Sequence, residues 1–122
     1  MHRLWIILGA FAGLSAVAMA AVAAHGLPGR IDPAALQMVR EAVQMQGWHA
    51  LTLLVCGVWA LRDGPVLLHW AGAAFAAGLL LFCGSVYLLA LAGTRIPAAA
   101  PAGGTLLMAG WLLLGGAALR ST

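Results

Sequence analysis

The sequence predicts an all-α integral membrane protein, a four-helix bundle running up-down-up-down with a short interfacial helix between spans 1 and 2. Three observations predict it. Hydrophobic residues make up 64% of the chain and the mean hydropathy is +1.02, which is more apolar surface than a soluble domain of this size buries. Charged residues are only 7% of the 122. The apolar runs number four, and the breaks between them are too short for a second, soluble domain, so residues 1–122 read as one membrane domain with spans at about 4–24, 43–61, 66–91 and 103–119.

The first run, residues 4–24, carries no charge, and roughly 20 such residues cross a hydrocarbon core of roughly 30 Å. Met1 to Arg3 ahead of small-residue motifs such as "AMA" and "AVA" also has the outline of a cleaved signal peptide. The run exceeds the roughly 7–15 residues of a signal core, which favours a retained span. The second run has its apolar core at 48–61, but the preceding "PAALQMVREAVQMQ" is helical in pattern too, with Pro33 at N1 behind Asp32 as N-cap. Ala35, Val39, Ala42 and Val43 share one face of that piece, and Gln37, Arg40, Glu41 and Gln44 share the other. It should lie at the interface or lead into the second span.

The third run follows "RDGP", a tight turn suited to adjacent antiparallel helices, and the fourth follows "TRIPAAAPAGG". Both termini then lie on one side. Arg3, Arg62 and Arg120 mark that side and Arg30, Arg40 and Arg95 the other, so the positive-inside count ties. The pairing of the 25–41 loop's arginines with Asp32 and Glu41, and the N-terminal amine beside Arg3, favour cytoplasmic termini. Arginines spread one or two per loop are topology anchors rather than a nucleic-acid patch, so nucleic acid is excluded as a partner.

Lipid tails compete with leucine for leucine, so the helices must associate through close backbone approach. Gly9 and Gly13 form a GxxxG step, Gly72 and Ala76 a small-xxx-small step, and Gly110, Gly115 and Gly116 thin the fourth span. These positions predict packing and no chemistry.

The polar residues say more once topology is applied. Loops 25–41 and 93–102 share one membrane face. His25 ends the first span there. Gln46 and His49, on one side of their helix, begin the second; Ser85 and Tyr87 close the third; and Thr105 opens the fourth. These six form the candidate polar cluster, with Gln46 and His49 facing inward toward Ser85 and Tyr87. Simpler roles exist for several. Ahead of Gly26, His25 reads as a helix C-cap, and His49 as a structural histidine hydrogen-bonded to Gln46, Ser85 or Tyr87. Trp48 and Tyr87 suit one aromatic belt, and Trp5, Trp59 and Trp70 the other. The opposite face offers only His2, Arg62, Asp63 and His69, at or near water.

Cys56 and Cys83 should differ in depth by roughly ten residues, about 15 Å of rise, which argues against a disulfide or a shared metal. His25 and His49, of uncertain height, do not specify a haem. There is no Walker motif, nucleophile elbow or paired-carboxylate site. The sequence therefore calls for no cofactor, no metal and no catalytic residue.

"GAFAGLSAVAMAAVAAHGL", "QMQGWHAL", "GLLLFCGSVYLLAL" and "PAGGTLLMAGWLLL", in this order and over nearly the whole chain, resemble the four signature blocks of the domain of unknown function 423 family. Those are small four-helix membrane proteins of bacteria, with transmembrane protein 256 as a eukaryotic relative. Ala20, Val22 and Ala23 stand where that family commonly shows glycine, phenylalanine and glycine, and Met45 where a tyrosine is usual. The resemblance implies a multi-pass protein of the bacterial cytoplasmic (inner) membrane and supplies no activity. The expectation is a non-enzymatic structural or accessory protein whose partners are the lipid bilayer and either its own copies or a larger membrane complex. The alternative is a solute or proton pathway with a half-membrane polar cavity, which would need polar groups through both leaflets.

Overall fold

A computed structural model of the chain describes residues 2–121; the N-terminal amine invoked for orientation lies outside them. Every element among the described residues is helical: α1 His2–Ala21 running into a π turn at Val22–Gly26, α2 Pro33–Leu61, α3 Leu67–Tyr87 running into a second π turn at Leu88–Ala92, and α4 Ala99–Arg120.

The helix boundaries follow local chemistry. Asp32 caps α2 by accepting from the Ala34 N–H at 3.2 Å, with Pro33 at the first helical position. At the other end of α2, Arg62 closes on Trp59 O at 2.9 Å and Asp63 turns the chain with φ 57°. The second π turn stops at Gly93, whose φ of 69° suits glycine, with Gly93 N–H on Leu89 O and Thr94 N–H on Leu88 O. α1 stops differently from expectation. Leu27 N–H reaches back to Val22 O at 3.0 Å, an i→i−5 bond that carries the helix through Gly26 as a π turn. His25 is consequently part of that turn and not a C-cap, and the left-handed glycine is Gly29, φ 81°.

The expected short interfacial helix is not a separate element: residues 33–44 are the opening turns of a single 29-residue α2. Nothing in "PAALQMVREAVQMQ" after Pro33 breaks the hydrogen-bond ladder, and the predicted apolar face is covered by protein. Val39 and Ala42 are 0% and 1% exposed, whereas Gln37, Arg40, Glu41 and Gln44 are exposed.

Sequence neighbours pack on one another, α1 on α2, α2 on α3 and α3 on α4, while α1 and α3 touch little. The registers are set by glycine. A Cβ at Gly9 would lie 2.9 Å from Ala50 O, and one at Gly57 2.9 Å from His2 O, so α1 and α2 approach backbone to backbone with their numbering opposed. Gly78 and Gly103 do the same for α3 and α4, each added Cβ falling 2.8 Å from the other's carbonyl. The Gly9 half of the GxxxG step is thus a true contact; Gly13 is looser, 3.9 Å from Ala50 Cβ. Gly72 and Gly110 have another use, since their missing Cβ atoms make room for the rings of Trp5 and Phe75, which come within 2.6 Å and 2.7 Å of where those atoms would sit. Trp5 is therefore core, 4% exposed, and not part of an aromatic belt, while Trp48 and Trp70, 60% and 65% exposed, do face outward.

Phe75, Leu53, Leu68, Val39 and Cys56 are the largest fully buried side chains, and Phe75, Leu53 and Cys56 belong to one core cluster with Trp5, Leu79 and Leu107. The outside is apolar as well, with Leu14, Val17, Leu80, Leu112 and Leu119 among the exposed side chains. Such a surface suits lipid and not water. His2–Gly26, Leu67–Ala92 and Ala99–Arg120, at mean hydropathies of 2.3, 2.2 and 1.6, are each long and apolar enough to cross a membrane. α2 falls below that standard because Gln44, Gln46 and His49 dilute its apolar run.

Candidate functional site

The polar groups settle into two separate arrangements around α2. The first is centred on Gln46. Its side-chain N–H groups donate to Ala12 O at 2.9 Å and to Ser15 Oγ at 2.7 Å on α1, and its Oε1 accepts from the Tyr87 hydroxyl on α3 at 2.8 Å. Ser15 passes its own proton to Phe11 O at 2.9 Å. One 7% exposed amide thus joins three helices, with both its donors and one acceptor position used.

The second arrangement is centred on His49, one turn further along α2. Trp111 of α4 donates from Nε1 to His49 Nε2 at 3.1 Å, and His49 Nδ1 lies 2.7 Å from Met45 O. Because an indole N–H only donates, Nε2 must be the accepting nitrogen, which leaves the proton on Nδ1 to serve the carbonyl. The imidazole also sits against Phe75 at 5.7 Å between ring centroids, and Phe75 meets Trp111 edge-on at 5.3 Å. Gly110 gives Phe75 the space to enter this triangle.

The six predicted residues thus separate. Gln46 and Tyr87 meet as expected, and His49 faces inward but toward α4, not toward Ser85 or Tyr87. Ser85 is buried yet turned back on its own helix, donating to Phe82 O at 2.9 Å, and Thr105 likewise donates to Pro101 O at 2.8 Å from an exposed position. A hydroxyl one turn from its own carbonyls finds them before it finds a neighbouring helix. His25 is exposed in the π turn. Two partners were missed in sequence, Ser15 and Trp111. Trp111 carried a usable signal, since it stands near the middle of its span, where an interface belt does not explain it. Ser15 gave none beyond being the one hydroxyl in the first run.

A third polar pair lies at the other end of the molecule, where sequence placed only residues at or near water. Trp5 Nε1 donates to His69 Nδ1 at 2.9 Å, joining α1 to α3 beside Gly72. From that junction the two helices part, and a cleft of about 590 Å³ opens between them over a floor of Leu53 and Gln46. Leu8, Phe11, Leu79 and Leu80 are among its apolar walls, with Ser15 and Tyr87 as its polar groups beside Gln46. Cys83, free like Cys56, also reaches this cleft and points its thiol at Ala42 O, 3.4 Å away. Among the described residues no three His, Cys, Asp or Glu side chains gather as a metal site would require.

Residues 19–104 match the family described as "Protein of unknown function (DUF423)". The chain belongs to this family. It is 39% identical over 113 residues to a UPF0382 membrane protein of Staphylococcus haemolyticus, covering 92% of each chain. It is 37% identical over 120 residues to the UPF0382 membrane protein YwdK of Bacillus subtilis, covering 97% of this chain and 98% of that one. A UPF0382 membrane protein of Haemophilus influenzae is 32% identical over 122 residues. No solved structure matches. The protein is accordingly an integral membrane protein of a family without an assigned activity, as the four blocks implied.

Proposed function

We propose that the protein is a non-enzymatic structural or accessory component of the bacterial cytoplasmic membrane, crossing it four times in an up-down-up-down order, with its own copies or a larger membrane complex as partners. The opposed registers of α1 with α2 and of α3 with α4 support that order. α2 joins the other three as a span because its Gln46 and His49 side chains are spent inside the bundle, while Leu51, Val55 and Val58 face outward.

The observation that carries the reading is the engagement of Gln46. Both its donors and the Tyr87 proton are used between helices, which is how a polar group that fixes helix register behaves in a membrane. A pathway for protons or solutes instead needs polar groups accessible along its length, whereas the cleft wall between the Gln46 group and the Trp5–His69 pair consists of residues such as Leu8, Leu53 and Ala76. The test is flux in proteoliposomes under a pH gradient or with a small-solute load, alongside purification in mild detergent with identification of co-purifying chains. Leakage equal to protein-free vesicles and a particle larger than one chain are expected. A flux that His49→Gln abolishes would replace this reading with the pathway.

A further inference from the structure

The cleft between α1 and α3 has dimensions that select its occupant. Its wall on α1 runs from Leu8 to Met19 and on α3 from Ala76 to Tyr87, eleven helical steps in each case, or ~16 Å at ~1.5 Å per step. That is about half of a hydrocarbon core ~30 Å thick, the depth of one leaflet. A helix crossing the whole core would run past both ends of such a cleft, whereas the hydrocarbon chain of a single leaflet matches its length. Trp5 against Gly72 and His69 joins the same two helices beyond the Leu8 and Ala76 end. The polar groups lie toward the opposite end, nearer the loop side of α2.

The hydrogen bonds at that end also select a headgroup. Both Gln46 N–H groups, the Ser15 hydroxyl proton and the Tyr87 hydroxyl proton are already donated. What remains are lone pairs on Tyr87 Oη, Gln46 Oε1 and Ser15 Oγ, so the site can accept a proton and has none to give. No charged side chain lines it.

We propose that the α1/α3 cleft binds one uncharged membrane lipid with a free hydroxyl, its chain lying along Phe11, Ala76 and Leu80 and its hydroxyl donating to Tyr87 Oη or Gln46 Oε1. The inference rests on the four-span placement proposed above. The full-length protein in phosphatidylcholine vesicles is photolabelled with chain-borne diazirine probes, and the labelled residues are mapped. Four probes are compared: diacylglycerol, the same molecule with its hydroxyl acetylated, a polyprenol, and phosphatidylcholine.

Labelling concentrated on residues 11–19 and 76–84 is expected, above the level at the outward Leu112 and Leu119. Diacylglycerol should exceed its acetylated form by about two- to tenfold, the range for one hydrogen bond, and both hydroxyl-bearing probes should exceed phosphatidylcholine. Diacylglycerol and polyprenol differ in chain chemistry, so whichever labels more strongly identifies the source. Gly84→Leu should lower cleft labelling without changing Leu112, because a Cβ at Gly84 meets nothing within 4 Å and the new side chain enters the cleft mouth. Gln46→Leu combined with Tyr87→Phe should abolish the hydroxyl preference. Even labelling of cleft and outer face in the unaltered protein overturns the proposal without recourse to any variant, as does equal labelling by free and blocked probes. If the four-span placement itself fails, the outward Leu51 and Val58 of α2 escape every probe. If only the lipid site fails, they are labelled as strongly as the cleft.

Discussion

Tyr87 of α3 donates its hydroxyl to the side-chain oxygen of Gln46 of α2 at 2.8 Å, and the same amide holds Ala12 O and Ser15 Oγ of α1. The register of three helices therefore passes through one side chain. Gln46→Leu should lower stability in detergent by about 1–3 kcal/mol, since it strands the Tyr87 hydroxyl and removes both links to α1. Tyr87→Phe should cost less, about 0.5–1.5 kcal/mol, because it leaves the α1 links in place. Thermal or denaturant unfolding of the two variants checks the order, and equal losses would argue that α1 is held by its glycine contacts alone.

His49 and Trp111 should behave as a coupled pair. His49→Gln retains a donor and an acceptor and should be tolerated, whereas His49→Leu leaves the Trp111 N–H without its partner and should cost about 1–3 kcal/mol. Trp111→Phe removes the donor as well as part of the contact with Phe75. In a double-mutant cycle the His49→Leu and Trp111→Phe losses should fall short of additivity by about 0.5 kcal/mol or more. Strict additivity would mean that the hydrogen bond contributes nothing net.

Gly72 should not accept even a methyl group. An added Cβ falls 2.6 Å from the Trp5 ring, so Gly72→Ala is expected to destabilise by about 1–3 kcal/mol through overpacking. Pairing it with Trp5→Leu should recover part of that loss. A Gly72→Ala variant as stable as the unaltered protein would show that α1 and α3 are not held together at this end.

Cys56 and Cys83 are free and buried, so a double change to alanine should leave helix content by circular dichroism and gel mobility without reductant as they were. Some stability, about 1–2 kcal/mol, should be lost with the buried sulfur contacts. Collapse of expression, or a mobility that depends on reductant, would count against this placement of the two helices.

A reporter fused to the C-terminus tests the side of the membrane. Activity of a cytoplasmic reporter there, and none from a periplasmic one, is expected. The reverse would overturn the reading of cytoplasmic termini.

What the sequence determined alone is whatever depends on short stretches of chain. Runs of apolar residues set the helices and their membrane character; Asp32 with Pro33 set the start of α2; "RDGP" set the turn into α3; and the 3.6-residue spacing of Val39 and Ala42 set which face of α2 is covered. The inward direction of Gln46 and His49 was legible for the same reason, since a polar group in hydrocarbon must find a partner. Which partner it finds was not legible. That choice depends on the rotation and depth of one helix against another, fixed by the close approaches at Gly9 with Ala50 and Gly78 with Gly103 and by the rings over Gly72 and Gly110. A shift of one residue turns a helical side chain by about 100°. Tertiary packing therefore gave His49 to Trp111 rather than Tyr87 and buried Trp5 instead of leaving it at the interface. It also parted α1 from α3 into an apolar cleft over Leu53 and Gln46.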